Sequence, residues 1–151
     1  MTATIRIQAE SFDAAEETLA LTRGRADMGA VVAFTGFCRD EGGRLAALEL
    51  EHYPGMAEAE IARIAQEAER RWPLLGLTVI HRVGKIRPGE GLVLVLAASA
   101  HRRAAFEAAE YLMDYLKTRA PFWKREHLKD GTTGGCVEAK SQDDEATERW
   151  G

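Results

Sequence analysis

The run Leu92-Val93-Leu94-Val95-Leu96-Ala97-Ala98-Ser99 contains no charge, no glycine and no proline. It constrains the fold of this chain more than any other segment. A short, almost wholly apolar stretch rich in Val and Leu reads as a central strand, because neither of its faces suits water. It falls far short of the ~20 residues that a bilayer crossing needs. The sequence after it, 101–119, spaces Phe106, Ala109, Leu112, Met113 and Leu116 along one stripe, which predicts a long amphipathic helix. A buried strand feeding a helix with one apolar face implies a layered domain with a single core.

The remaining elements are placed around this pair. Alternation predicts a first strand at 5–8, then a helix capped by Ser11 or Asp13 and running to about residue 23, with Gly24 ending it. A buried strand is expected at 28–38, with Gly36 as a bulge or a point of close approach. A polar, glycine-rich loop follows at 39–44, then a strand at 45–53 and a Pro54-Gly55 turn. A helix over 56–72 buries Ile61, Ile64, Ala65 and Ala68 and is stopped by Pro73. Strands are expected at 77–83 and 122–128, with loops at 84–91 and 131–135. Strands and helices mix without a βαβ rhythm, so the fold class is α+β rather than doubly wound. The expected organisation is a single catalytic domain over 1–140 and a polar, mobile C-terminal tail over 141–151.

Several function classes lose their support. A formal charge of −4 disfavours a general nucleic-acid binder while leaving room for a local basic pocket. Cys38 and Cys136 form no CxxC pair, and the chain has no GxGxxG after a strand, no Walker-type phosphate loop and no HExxH. No metal and no cofactor are therefore expected. The first residues lack the basic-then-apolar layout of a signal peptide, so the cytoplasm is the default compartment.

Against this background the stretch from Leu116 to Glu126 is anomalous. Lys117, Arg119, Lys124 and Arg125 crowd around Pro121-Phe122-Trp123 in a chain that is acidic overall. Ammonium groups close together beside apolar surface lower one another's pKa, which makes a lysine usable as a nucleophile or proton shuttle. A solvated basic helix end accounts for the same residues. His101-Arg102-Arg103 is a second anomaly, since cations at a helix start oppose the dipole but suit a phosphate. Surface pairing of Arg102 and Arg103 with nearby glutamates is the alternative. Arg39 leaves a buried strand for a flexible loop, which suits ligand binding and equally suits an ion pair with Asp40 or Glu41. Cys38 reads either as a thiolate activated by Arg39 or as a small buried hydrophobe. His52, His81 and His127 read as hydrogen-bonded structural histidines. If the helix is continuous, a rise of ~1.5 Å per residue sets His101 and Lys117 roughly 24 Å apart. They then serve separate sites, or one pocket lies between two copies of the chain.

Taken together, the motifs resemble the catalytic (large) subunit of molybdopterin synthase. The matching pieces are Gly29-Ala30, Phe34-Thr35-Gly36-Phe37-Cys38-Arg39-Asp40, Leu48 to Ala57, His81-Arg82-Val83-Gly84 and Gly89-Glu90. They continue through His101-Arg102 with Ala105-Phe106, Asp114-Tyr115-Leu116-Lys117 and Pro121-Phe122-Trp123-Lys124-Arg125-Glu126. They stand in family order over most of the chain from Gly29 to Gly131. The resemblance implies an α/β hammerhead-type fold with a mainly antiparallel sheet and a homodimer carrying one ubiquitin-like sulfur carrier at each end, a heterotetramer. It implies a sulfurtransferase that moves sulfur from the carrier's Gly-Gly thiocarboxylate to cyclic pyranopterin monophosphate.

By position, the resemblance makes Lys117 and Lys124 the catalytic lysines. It makes Phe37, Cys38 and Arg39 a substrate-binding strand end, and His101 and Arg102 a pair supplied by the other subunit. Arg125 and Glu126 complete the last motif. Two departures stand out: Cys38 where the family often has valine, and Arg125 where it commonly has lysine. Two rival readings use the same residues. One is a non-enzymatic module for a phosphorylated ligand or ubiquitin-like tail, and the other is a sulfurtransferase working through a Cys38 persulfide.

Overall fold

A computed structural model describes residues 3–136 together with Glu148 and Trp150. In chain order the elements are β1 (Thr4–Gln8), α1 (Ala14–Thr22), β2 (Ala30–Phe37), β3 (Leu45–His52), α2 (Met56–Arg71) and β4 (Leu74–Arg82). They continue as β5 (Gly84–Ile86), β6 (Gly91–Ser99), α3 (Arg102–Thr118), β7 (Phe122–Leu128) and β8 (Thr133–Cys136). The strands form two four-stranded sheets, β1-β4-β6-β2 and β5-β3-β7-β8. Among the described residues only β1 and β4 pair in parallel; the other ladders are antiparallel. The fold is thus α+β with a mainly antiparallel sheet, as expected.

Strand β6 shows why the apolar run had to be central. Val93, Val95 and Ala97 face the cluster built from Ile61, Ile64, Ala65 and Ala68 of α2 and Ala108, Leu112 and Leu116 of α3. Leu94 and Leu96 face the other way, onto Ile80, Phe12, Ala14 and Leu21. With side chains alternating at period two, both faces of this strand are covered by helices, and each large side chain contributes roughly 1.5–3 kcal/mol by burial. A smaller third cluster, Cys38, Leu45, Leu50, Ile86 and Leu92, lies between the sheets, and Phe122 packs against both it and the main cluster.

Local chemistry accounts for the boundaries. Asp13 caps α1, its carboxylate accepting from the Ala15 and Glu16 amides at 2.9 and 3.2 Å. Gly55 enters α2 at φ +88°, and its N–H donates to Glu58 at 2.7 Å. At Gly36 the β2–β6 register shifts, and a Cβ there would lie 2.8 Å from Val93 Cγ1, so the expected bulge and the expected close approach coincide.

Three expectations need correction. The loop at 84–91 contains β5, which pairs with Leu48 to Leu50 of β3 and buries Ile86 completely. One apolar residue between glycine, lysine and arginine carries no readable period. The loop at 131–135 gives way to β8, which adds to β7 through Arg125–Cys136 and His127–Thr133. Its glycines have little intrinsic strand preference, and the open edge of β7 supplies it. Strand β4 starts at Leu74, immediately after Pro73, rather than at 77. The tail expected to be mobile, 141–151, lies outside the described residues apart from Glu148 and Trp150. Trp150 packs edge-on against Trp72 and Tyr111, and its indole N–H donates to Asp114. No helix among the described residues is long and apolar enough to cross a membrane.

Candidate active site

The end of β2 is pinned before it becomes a loop. The Cys38 amide donates to the Glu90 carbonyl at 2.9 Å, and the Cys38 carbonyl accepts from the Gly89 amide at 2.7 Å. Arg39 then projects from a fixed base, exposed and ion-paired with Glu41. Asp40 folds the loop back by accepting from the Leu45 amide at 3.0 Å. The ion-pair alternative for Arg39 is thus present, and the same side chain lines a cleft.

Helix α3 delivers Lys117 in its last turn, where the dipole favours a cation. The chain then turns at Ala120, whose carbonyl accepts from the Phe122 amide at 2.9 Å, and enters β7. Alternation along β7 puts Phe122, Lys124 and Glu126 on one face and Trp123 and Arg125 on the other.

These segments converge on one cavity of about 520 Å³, lined by Phe37, Cys38 and Arg39, by Lys117, and by Lys124 and Glu126. Arg44 and Asp40 stand at the same wall, and Leu45, Leu48, Leu92 and Leu128 supply apolar lining. Phe37 is 61% exposed, a flat apolar face beside four cationic groups. Such a cleft can hold an anion through charged hydrogen bonds while offering apolar surface to a planar ring. Arg44 escaped the sequence reading, although a second arginine closing the loop that Arg39 opens was a usable signal.

Three expected site residues are elsewhere. His101 caps α3 without a side-chain cap bond, and Arg102 begins the helix, both exposed at the end opposite Lys117. Because α3 is unbroken, neither reaches the cleft of its own chain. Arg103 takes the surface-pair alternative, with Glu107 at 2.7 Å. Arg125 lies on the outer face of β7, opposite Glu49 in the ladder. There Glu49 is held below the usual carboxylate range, first by its 2.7 Å hydrogen bond with His127.

The Cys38 thiol is 3% exposed, 3.7 Å from the Ile86 carbonyl, and burial pushes its pKa up. That is the small buried hydrophobe, not an activated thiolate. His81 is also buried. Desolvation takes its pKa down to about 4, with Lys124 and Lys117 adding to the shift, so the ring is neutral at neutral pH. Among the described residues, no group of three or more His, Cys, Asp or Glu side chains could hold a metal ion.

Comparison with known proteins gives a consistent picture. The family model described as MoaE protein matches residues 7–119. The molybdopterin synthase catalytic subunit of Mesorhizobium japonicum is 72% identical over 147 residues, covering 97% of this chain and 92% of that protein. The solved structure of the molybdopterin biosynthesis MoaE protein from Burkholderia ambifaria has a TM-score of 0.85 at 47% identity, covering 99% of this chain and 98% of that one. Molybdopterin synthase from Staphylococcus aureus has a TM-score of 0.76 at 32% identity, covering 85% and 95%.

Proposed function

Since the chain belongs to the MoaE protein family and acts as a molybdopterin synthase catalytic subunit, a sulfurtransferase of molybdenum cofactor biosynthesis, we propose that the Arg39–Lys117–Lys124 cleft is its sulfur-transfer site. The observation that carries this reading is the convergence of those three cations, from three separate elements, around one cavity. In this reading Arg39 takes the cyclic phosphate of the pyranopterin, with charged hydrogen bonds contributing about 1.5–3 kcal/mol each. A small ubiquitin-like carrier lays its Gly-Gly thiocarboxylate beside Lys117. The sulfur attacks the pyran side-chain carbon as the phosphate ring opens, forming a C–S bond. Water then attacks the acyl carbon and the acyl–sulfur bond breaks, leaving the sulfur on the pterin and returning the carrier's tail as a carboxylate. The Lys117 ammonium stabilises the oxyanion that forms at the acyl carbon, and Lys124 moves the proton. Glu126, on the same wall, orients a lysine.

His101 and Arg102 belong to the same chemistry only through a second copy of the chain. We therefore propose a homodimer in which the start of α3 from one subunit completes the cleft of the other, with one carrier per cleft, working in the cytoplasm.

The deciding experiment mixes the protein with thiocarboxylated carrier and cyclic pyranopterin monophosphate and assays the dithiolene product. Formation of product is expected; binding without product would leave only the non-enzymatic module. The same assay separates the persulfide reading. Cys38→Ser is expected to retain most of the wild-type rate, because a buried, protonated thiol is neither exposed nor ionised for sulfur transfer. An inactive but folded Cys38→Ser protein would restore the persulfide route.

A further inference from the structure

Phe122 sits where the cleft is assembled, and what holds it is a histidine that the chemistry above does not use. The His81 ring, on β4, stacks on Phe122 with centroids 4.0 Å apart and planes within 10°. Phe122 also meets His52 of β3, tilted, with centroids 6.1 Å apart. His81 is only 7% exposed. Its Nδ1 lies 2.9 Å from the Arg82 carbonyl, which can only accept, so Nδ1 carries the proton and the ring's orientation is set. Phe122 is the first residue of β7 and shares a face with Lys124 and Glu126. It also closes the short turn that leads out of α3 just beyond Lys117. The stack is therefore a direct tie between the two sheets, close to where the helix-borne lysine and the strand-borne lysine both reach the cleft.

The charged surroundings keep the stacked ring neutral. Lys124 from β7, Lys117 from α3 and His52 from β3 all oppose a positive charge at His81. The Arg82 guanidinium is turned away, donating to the Ala9 and Gly91 carbonyls.

We propose that His81 is a positioning residue for sulfur transfer: its planar ring seats Phe122 and so aims Lys124 into the cleft beside Lys117. The proposal rests on the reading of that cleft as the sulfur-transfer site. It assigns the face of the ring, rather than its proton chemistry, to the task.

The test compares His81→Phe, which keeps a planar face, with His81→Leu, which fills similar space without one, in the reconstituted synthase. Dimer size and thermal melting are monitored for both. For His81→Leu, kcat should fall roughly 10–100-fold, the scale of a misplaced catalytic group, with KM for the pterin unchanged. His81→Phe should restore most of the rate. Phe122→Leu should reproduce the kcat loss and add little to it in the double variant. An unchanged kcat for His81→Leu would overturn the proposal. So would equal losses in the two His81 variants, or losses that only follow melting temperature. An inactive wild-type synthase would instead remove the functional reading beneath it.

Discussion

Lys117→Ala is expected to cut dithiolene formation by roughly 10²–10³-fold or more, the scale of losing one preorganised charge-stabilising group, while leaving the fold and the dimer intact. Lys117 is exposed on the last turn of α3. Its removal forfeits only a helix-dipole interaction of about 0.3–1 kcal/mol. The expected signature is a collapsed kcat beside an ordinary melting curve. Lys117→Arg keeps the charge but replaces a compact amine by a planar fork, so it should remain severely impaired. A module that merely binds an anion would tolerate that change.

The shared-pocket arrangement adds a sharper check. Hybrid dimers that pair a Lys117→Ala subunit with a His101→Ala/Arg102→Ala subunit contain one intact cleft and one doubly damaged cleft. They should recover about half of the wild-type rate, by the symmetry of a two-fold dimer. Hybrids as inactive as their parents would mean that His101 and Arg102 do not serve the partner's cleft.

The second large effect is on stability. The buried side chain of Arg82 donates from Nε and Nη2 to the Ala9 carbonyl at 3.2 and 3.0 Å, and from Nη1 to the Gly91 carbonyl at 3.3 Å. Glu90 stands 3.7 Å away, and its carbonyl holds the Cys38 amide. Arg82→Met keeps much of the apolar stem but removes these three part-buried guanidinium bonds. Hydrogen bonds to charged groups contribute ~1.5–3 kcal/mol, so a loss of about 2–3 kcal/mol is expected. In urea this should appear as a lower midpoint with an unchanged slope. The same loss loosens the strap from Glu90 to Cys38 that anchors Arg39, so KM for the pterin should rise in the folded fraction. A midpoint within experimental error of wild type would show that the guanidinium bonds contribute nothing net.

Much of the site was legible before any geometry. Lys117 and Lys124 stood out because cations crowded against aromatic residues are unusual in an acidic chain, and Arg39 because it ends a buried strand. Arg125 lies in the same run yet falls on the outer face, a consequence of β alternation that reading the run as a single motif obscured. Arg44 was passed over because a surface arginine in a glycine-rich loop has no local mark of its destination. The hydrogen bonds of His81 and His127 were anticipated, but not the stack of His81 on Phe122. Strands β5 and β8 were invisible because their order comes from the edges they join.

Local sequence was enough to set the chemistry on offer and most of the elements that carry it. Apolar spacing at periods two and 3.6 is a local property, and so is the identity of a side chain. The sixteen-residue separation of His101 and Lys117 is likewise local, and it puts them at opposite ends of one helix once that helix runs unbroken. Long-range packing brought Arg39, Lys117 and Lys124 to one cavity, buried the Cys38 thiol and turned Arg125 away. Those outcomes depend on β3 pairing with β7, on β2 pairing with β6, and on a histidine of one sheet stacking on a phenylalanine of the other. Contacts between residues far apart in the chain arise from packing the whole core at once, and no local pattern encodes them.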